Sequence, residues 1–206
     1  MSKRKRYTLP GERQRHPGRF LLIVGTLCLV AALALTVYAV FLAVLASNAS
    51  SAGLASYEAQ AGAISLPAAS DDPNREMPVI STEGAEYIGT VEMPSLGIKL
   101  PVQSEWSYPN LRTSPCRYTG SAYNGTLVIA AHNYPAHFGR IGDLHSNDLV
   151  RFTDAEGTRI DYLVIALDIL SPTDVEDMTE CPACDLTLFT CTLGGTSRVT
   201  VRCKRV

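Results

Sequence analysis

The hydrophobic pattern divides the chain into an apolar segment near the front and a region of short alternating runs behind it. Residues 20–46 form an uncharged run of 27, in which Thr26, Thr36 and Tyr38 are the polar interruptions. As a helix rising about 1.5 Å per residue, this run is longer than the hydrocarbon core of a bilayer, about 30 Å. The pattern therefore predicts a transmembrane helix. A basic tail, residues 1–19, precedes this helix.

A different pattern starts at Glu86, where short runs of alternating or β-branched residues are separated by Gly, Pro, Asn and Asp. Runs of this kind, about ten residues apart, are typical of a sandwich or a barrel. The pattern predicts a mainly β domain over residues 83–206. Its strands are predicted at residues 87–93, 98–103, 126–131, 149–153, 160–170, 186–191 and 198–202.

Residues 47–82, between these two regions, are rich in Ala, Ser and Gly, and Asp71-Asp72-Pro73-Asn74 is a turn-forming cluster. Such a composition is typical of a flexible linker. The segment is predicted to be a flexible extracytoplasmic stalk with a brief helix near residues 52–61.

Within the β domain, the connection at residues 171–185 is long for a compact fold. Ser171 with Asp174 three positions later resembles a capping box, and Pro172 suits the first helical position. We therefore predict a helical turn at the start of this connection. A connection of this length is more often part of a site than a simple link between strands.

The charges indicate an orientation for the predicted membrane helix. Residues 1–19 carry seven basic side chains and one acid, Glu12, and a basic flank favours a cytoplasmic N-terminus. The chain after Ala46 is then outside the cell membrane. A cleaved signal peptide is the alternative, because small residues surround Ala46. Signal-peptide apolar regions usually run about 7 to 15 residues, so an uncleaved single-pass anchor is favoured.

The extracytoplasmic part, residues 47–206, is acidic. It carries 11 basic and 19 acidic side chains, a formal charge of −8. Nucleic-acid binding relies on Lys and Arg side chains that neutralise phosphates, so no nucleic-acid partner is expected. The basic tail is explained by topology and by anionic lipid.

The strongest candidate for chemistry is Cys191, which ends the run Thr187-Leu188-Phe189-Thr190-Cys191. If residues 193–196 form a four-residue hairpin loop, Cys191 lies opposite Arg198 on the next strand. Opposed residues of an antiparallel pair project to one face with Cβ atoms about 4.5 to 5.5 Å apart, so the guanidinium can reach the group that the sulfur attacks. Arg198 stays protonated and can donate hydrogen bonds to a substrate carbonyl or to an oxyanion.

A thiol with an ordinary pKa of about 8.5 is only a few per cent thiolate at neutral pH, so Cys191 needs a partner. His132 ends an apolar strand, and its imidazole can act as a base and then as an acid toward a leaving amine. His137 and His145 lie in the following loop and are interpreted as solvated. Asn133 projects to the opposite face of the strand, so it is not expected to orient His132.

These residues together resemble the sortases, membrane-anchored cysteine transpeptidases of Gram-positive bacteria. The similarity covers, in chain order, residues 88–94, 97–102, 127–133, 138–144 and the run 187–191 followed by Arg198. Ala131 stands where many members have glycine before the histidine, and the spacing between Cys191 and Arg198 is shorter than in several classes. The resemblance therefore leaves the sortase class open.

The resemblance implies a closed eight-stranded β-barrel with short helices, preceded by one N-terminal transmembrane helix. It implies that Cys191 attacks the threonine carbonyl of a Leu-Pro-x-Thr-Gly-like sorting signal on a surface protein or pilin, which forms a thioester acyl-enzyme. An amine of a cell-wall precursor or of a pilin lysine then resolves the thioester. In this scheme His132 and Arg198 are catalytic partners, Thr190 supports the site and contacts peptide through its backbone, and no metal or other cofactor is expected.

Two other functions remain open on these residues. Water could resolve the acyl-enzyme, which would make the protein an extracytoplasmic cysteine peptidase. Alternatively, the domain could be a tethered binding barrel whose cysteine is inert. A peptide bearing a sorting signal distinguishes all three, because the inert barrel forms no thioester and the peptidase gives the same product yield with and without amine.

The motif Cys181-Pro182-Ala183-Cys184 allows three interpretations. It could be half of a zinc site that Cys116 and Cys203 complete, a structural disulfide, or a pair of free thiols. Cys28 lies in the membrane segment and is interpreted as packing.

Overall fold

In the computed structural model, residues 17–62, 72–82 and 84–206 are described. The chain divides into two compact units, Met1–Phe41 and Leu42–Val206. The predicted basic tail, apart from its last three residues, and residues 63–71 of the predicted stalk lie outside the described residues.

The first element is one long helix, α1 (Pro17–Ala61). Among the described helices, it is the one that is long and apolar enough to cross a membrane by length and composition. The helix continues for 15 residues past the predicted end of the apolar run at Ala46. Residues 47–61 contain no proline and are rich in alanine, the strongest helix former, which explains why the helix continues into the predicted stalk.

In the second unit, the last part of α1 packs on the β domain. Tyr57 is buried there, and its hydroxyl donates a hydrogen bond to the backbone oxygen of Asp154 at 3.1 Å. The Tyr57 ring lies edge-on to the ring of Tyr87, with centroids 6.0 Å apart. The helix predicted near residues 52–61 is present as the end of α1, and the expectation of a flexible stalk needs correction for residues 47–51, which belong to the same helix.

In the described part of the chain, nine strands and four short helical segments follow α1. The strands are β1 (Ile80–Thr82), β2 (Ala85–Met93), β3 (Ile98–Gln103), β4 (Cys116–Thr119), β5 (Leu127–Ala130), β6 (Leu149–Asp154), β7 (Arg159–Leu170), β8 (Leu186–Cys191) and β9 (Arg198–Arg205). The helical segments are the 3₁₀ turns Pro94–Leu96 and Ile141–Asp143 and the helices α2 (Tyr108–Leu111) and α3 (Val175–Thr179).

Eight of the strands close into a mixed barrel in the order β2-β3-β4-β5-β8-β9-β7-β6, with β6 pairing back onto β2. The β3–β4 and β5–β8 pairs are parallel, and the other pairs are antiparallel. The predicted closed eight-stranded barrel is confirmed. The short strand β1 is an addition to the ring and pairs with β2 beyond the part that β6 occupies.

Barrel closure brings two backbones very close together at Gly89. Gly89 pairs with Asp154 of β6 and has a φ of +154°. A Cβ at this position would collide with the backbone oxygen of Thr153. Only glycine accommodates both the conformation and the approach, so this residue permits β2 to pair with β3 and β6 at once.

Alternation along the strands separates two apolar clusters. The main core includes Leu127, Ile129 and Leu188, which occupy alternate positions of β5 and β8 and project to the barrel interior. The residues between them project to the other face, where α2 and α3 cover them. We call this second group the outer apolar cluster; its members are Leu111, Cys116, Val128, Ala130, Met178 and Phe189.

The helix predicted at the start of the connection 171–185 begins later than expected. The backbone N–H of Ser171 does donate to the Asp174 carboxylate, at 3.2 Å, as in a capping box. This contact closes a turn, and α3 starts only at Val175. The helix then projects Met178 into the outer apolar cluster.

Candidate active site

The parallel pairing of β5 and β8 brings His132 to the end of the strand that carries Cys191. Ala130 of β5 pairs with Phe189 of β8, and the Ala131 N–H donates to the Phe189 backbone oxygen at 3.2 Å. His132 is the next residue along, so it lies at the level of the last residues of β8. Both His132 and Cys191 are half-buried.

The hairpin between β8 and β9 has the register expected from the sequence. Cys191 pairs with Arg198, and the Thr192 N–H donates to the Ser197 backbone oxygen at 2.9 Å. Gly194 and Gly195 have φ angles of +88° and +75°, which the four-residue loop requires and which glycine adopts without strain. The ends of β5, β8 and β9 that carry the three predicted catalytic residues therefore meet.

The Arg198 guanidinium lies back on its own hairpin. Its Nη1 donates to the backbone oxygens of Gly195, at 3.2 Å, and Ser197, at 3.1 Å. Both acceptors are neutral, so they do not cancel the positive charge of the guanidinium. This charge, on the residue paired with Cys191, can therefore stabilise an anionic intermediate.

Thr190 projects to the barrel interior, opposite to Cys191. Its side chain is buried, and its hydroxyl donates to the Ala131 backbone oxygen at 2.8 Å. This bond ties β8 to the residue that precedes His132. The role of Thr190 in supporting the site and in contacting peptide through its backbone stays a prediction.

His132 lies in a partly desolvated environment. Burial lowers its pKa from the ordinary value, and the positive charge of Arg112 lowers it further. The ring of Tyr134 lies against the imidazole, with centroids 5.1 Å apart. Asn133 does not orient the imidazole; its amide donates to the Thr192 backbone oxygen at 3.3 Å and so ties the histidine strand to the cysteine hairpin.

The interpretation of His137 as a solvated residue is wrong. Its side chain is 0 % exposed, because α1 covers the loop in which it lies, and its Nε2 is 2.7 Å from the Ser50 hydroxyl. Nothing in the local sequence indicates this contact, since Ser50 lies far away along the chain. His145 is exposed, as predicted.

Aromatic side chains pack on the outer face of β8 next to Cys191. Phe189 shares this face with Cys191, and the ring of Tyr118 packs edge-on against it at 5.3 Å between centroids. The Trp106 ring continues the aromatic wall, 5.7 Å from Tyr118. Beyond these rings is a cavity of about 590 Å³, lined by Trp106, Tyr118, Thr119, Gly120, Thr126, Thr179 and Glu180.

Arg202 holds α3, whose last residue, Thr179, lines this cavity. Arg202 is only 6 % exposed, and its Nη1 donates to the Met178 backbone oxygen and to the Thr187 hydroxyl, each at 3.2 Å. Its other nitrogens donate to the Asp177 backbone oxygen and, at 3.2 Å, to the Asp168 carboxylate. The sequence did not indicate the role of Arg202, because an arginine in an alternating strand is usually interpreted as solvent-exposed.

The cysteines other than Cys191 have clear structural states. Cys181 and Cys184 form a disulfide just after α3. Cys116 and Cys203 are buried free thiols, and burial raises the pKa of each to about 12. Among residues 17–62, 72–82 and 84–206, no group of three or more His, Cys, Asp or Glu side chains could hold a metal ion, so the described residues form no zinc site.

The closed mixed barrel brings together the ends of β5, β8 and β9, near which His132, Cys191 and Arg198 lie. Residues 91–206 match the family model of the sortase domain. This match covers more than half of the chain, and the chain belongs to the sortase family. A search of curated proteins found no significant match.

Three sortases are among the solved structures with a similar fold. Sortase C-3 of Streptococcus pneumoniae is 22% identical with a TM-score of 0.54, and the match covers 81% of this chain and 84% of that one. Sortase C1 of Streptococcus agalactiae is 25% identical with a TM-score of 0.54, over 60% and 71% of the two chains. Sortase C of Clostridium perfringens, solved with the C-terminal cell wall sorting motif, is 24% identical with a TM-score of 0.52, over 58% and 70%.

Proposed function

We propose that this sortase cleaves a Leu-Pro-x-Thr-Gly-like sorting signal with Cys191 as the nucleophile and joins the carrier protein to an amine. The observation that carries the proposal is the register of β8, which places Cys191 beside the end of the histidine strand and opposite Arg198. The catalytic unit is the barrel, residues 83–206. The acceptor amine belongs to a cell-wall precursor or to a pilin lysine.

In the first step, the sulfur of Cys191 forms a bond to the threonine carbonyl carbon. His132 accepts the thiol proton, or the two side chains already form a thiolate–imidazolium pair in a minority of molecules. The lowered pKa of His132 makes its imidazolium a ready acid, so it gives the proton to the glycine nitrogen as the carbon–nitrogen bond breaks. Arg198 donates to the oxyanion that forms in between.

In the second step, the acceptor amine attacks the thioester carbonyl carbon. Neutral His132 takes a proton from that amine, the carbon–sulfur bond breaks, and the thiol is regenerated. Exclusion of water in favour of the amine distinguishes this reaction from hydrolysis.

The cavity beside the aromatic rings of Trp106 and Tyr118 suits the acyl half of the signal. We propose that the leucine and proline side chains pack against the partly exposed rings of Tyr118 and Trp106, which line this cavity. The sorting motif bound to the Clostridium perfringens sortase C supports a peptide substrate of this class.

The first prediction concerns the three catalytic residues. Cys191→Ala should abolish the covalent adduct with a sorting peptide, and His132→Ala or Arg198→Ala should lower kcat/KM by about 10²- to 10³-fold, because each removes a proton-transfer or oxyanion-binding group. Mass spectrometry of the full-length protein with a Leu-Pro-x-Thr-Gly peptide library and varied amines measures the thioester and the product together.

The matched controls are Cys28→Ala, His145→Ala and Arg159→Ala, which change the same residue types away from the barrel end. These variants should keep wild-type rates. An adduct that survives Cys191→Ala would contradict the assignment of the nucleophile. Absence of any thioester in the wild type would favour the inert barrel, and a product yield independent of amine would favour the peptidase.

We further propose that α1 is a single-pass anchor with its N-terminus in the cytoplasm and the barrel outside. The excess of basic side chains in residues 1–19 supports this orientation. It places the site on the side of the membrane where cell-wall precursors and pilins of Gram-positive bacteria are joined.

A further inference from the structure

The helix α1 contributes a buried polar side chain to the loop that follows the candidate catalytic histidine. Ser50 is 3 % exposed, and its hydroxyl oxygen lies 2.6 Å from the Thr113 backbone oxygen and 2.7 Å from Nε2 of His137. The carbonyl oxygen of Thr113 can only accept, so the hydroxyl proton of Ser50 points to it. The same hydroxyl oxygen then accepts a hydrogen bond from Nε2–H of His137.

This arrangement defines the state of His137. Its Nε2 carries the proton, and its Nδ1 is buried without a hydrogen-bond partner in the described structure. The pKa of His137 is lowered to about 4, chiefly because burial disfavours the charged form; a backbone hydrogen bond with Ala46 opposes this shift in part, and the nearby His132 adds to it. His137 is therefore neutral at physiological pH and acts as a packed, hydrogen-bonded side chain.

A continuous set of contacts joins His137 to His132. The Tyr134 ring lies between the two imidazoles, 5.1 Å from His132 and 5.6 Å from His137 between centroids. The backbone closes the same loop, because the Phe138 N–H donates to the His132 oxygen at 3.1 Å and the His137 N–H to the Tyr134 oxygen at 2.9 Å. A displacement of His137 would therefore move the ring that packs on His132.

Ser50 is also linked to His132 indirectly, through a second loop segment. Its other partner, Thr113, directly follows Arg112, and Arg112 is the charge that lowers the pKa of His132. One hydroxyl group thus ties together the two loop segments that surround the candidate catalytic imidazole.

We propose that Ser50 and His137 are positioning residues for His132, so that the end of α1 is a working part of the active site. This inference rests on the proposed function of His132 and goes beyond it. It gives the helix a role other than tethering. Ser50 acts through His137 and Thr113 and touches neither substrate nor the reacting sulfur.

The helix has other attachments that make the proposal testable. Tyr57 donates to Asp154, and Glu58 forms an ion pair with Lys99 at 2.6 Å. These contacts are independent of Ser50. The variant Ser50→Ala should therefore keep the helix on the barrel while it removes the hydroxyl.

The experiment uses the full-length protein in detergent micelles and follows sorting-peptide cleavage from pH 5 to 9. We expect Ser50→Ala to lower kcat about tenfold with KM within about twofold, because a modest misplacement of a catalytic group affects the chemical step. The limb of the pH–rate profile that reports the pKa of His132 should move to higher pH. A looser loop admits water and weakens the effect of Arg112, and both changes raise this pKa. His137→Leu, which fills the site without a hydrogen-bond donor, should reproduce both effects.

Two variants test the hydrogen bond itself. His137→Gln places an N–H near the position of Nε2 and should restore most of kcat. The double variant Ser50→Ala/His137→Leu should lose no more than either single variant, as expected of two residues in one interaction. Ser51→Ala, an exposed neighbour on the same helix, should behave as wild type.

Nuclear magnetic resonance titration of the His132 imidazole tests the positioning role of Ser50 separately from the proposed transpeptidase function. An unchanged His132 titration and an unchanged kcat in Ser50→Ala would overturn the positioning role. A wild type that forms no thioester would overturn the proposed function, whereas a shifted His132 titration in Ser50→Ala would still support the positioning of this side chain. If Ser50→Ala loses both kcat and thermal stability but keeps the wild-type pH profile, the contact is merely structural and the inference is overturned.

Discussion

At the scale of single residues, a buried neutral histidine makes stability depend on pH. His137 has a folded-state pKa of about 4, against an ordinary value near 6.5, because it is buried beneath α1. Between these two values the unfolded chain binds a proton that the native state does not bind. Stability therefore rises with pH across this window, by roughly 3 kcal/mol from this one residue.

The variant His137→Gln should remove this dependence, because glutamine does not titrate. We expect the free energy of unfolding of the variant to change less between pH 4.5 and pH 7 than that of the wild type, by roughly 2 to 3 kcal/mol. Denaturant titrations of the full-length protein at several pH values measure the difference. His145→Gln is the matched control, and parallel pH profiles for wild type and His137→Gln would contradict the prediction.

Residue positions on strands were predictable, and residue positions in loops were not. The period of two along a strand required Cys191 and Arg198 to share a face once the hairpin loop had four residues, and the observed pairing has this register. His137 lies in a loop, where no periodicity applies. Its burial depends on Ser50, a partner that only the folded chain brings near.

At the scale of elements, α3 is a short helix that depends on a single side chain. With five residues, it is too short to be stable by itself, and its packing on the barrel must hold it. Arg202 supplies this support by donating to the backbone oxygens of Asp177 and Met178. Met178 in turn packs in the outer apolar cluster, and the next residue, Thr179, lines the cavity proposed to bind the peptide.

The substitution Arg202→Met should loosen α3 and weaken peptide binding. It leaves two backbone oxygens without their donor, which costs about 1 to 3 kcal/mol of stability, and we expect KM for a sorting peptide to rise about 5- to 10-fold with a smaller change in kcat. Steady-state kinetics of the full-length protein test this. Arg205→Met, on an exposed position of the same strand, is the control, and an unchanged KM in Arg202→Met would contradict the role of α3.

The strands that the sequence did not predict, β1 and β4, are short and have little alternation of apolar and polar residues. Seven strands were predicted close to their observed bounds because each has at least four alternating or apolar residues. β1 has three residues, and β4 has four that include Arg117. Strands this short form only because neighbouring strands present free hydrogen-bonding edges, a tertiary effect that no local pattern contains.

At the scale of the whole molecule, the orientation in the membrane sets which compartment the barrel faces. With an epitope at each end, protease added to intact protoplasts should remove the C-terminal epitope and spare the N-terminal one until detergent is added. The physical reason is the retention of basic side chains on the cytoplasmic side. Loss of the N-terminal epitope in intact protoplasts would contradict the proposed topology.

A charge variant provides the matched comparison. Replacing Lys3, Arg4, Lys5 and Arg6 with glutamine removes four of the seven basic side chains of the tail. Part of the population should then insert in the opposite direction, with its C-terminal epitope protected. An unchanged pattern would show that these four charges do not set the orientation.

The distribution of sulfur atoms has a practical consequence. Cys181 and Cys184 are bonded to each other, and Cys116 and Cys203 are enclosed thiols with pKa values of about 12, so about one in 10⁵ is ionised at pH 7. Cys28 lies in the apolar run of α1, which a charged reagent does not enter when the protein is in vesicles. A charged alkylating agent should therefore mark one atom per polypeptide, the sulfur of Cys191, and serve as a stoichiometric titrant of competent enzyme in a preparation.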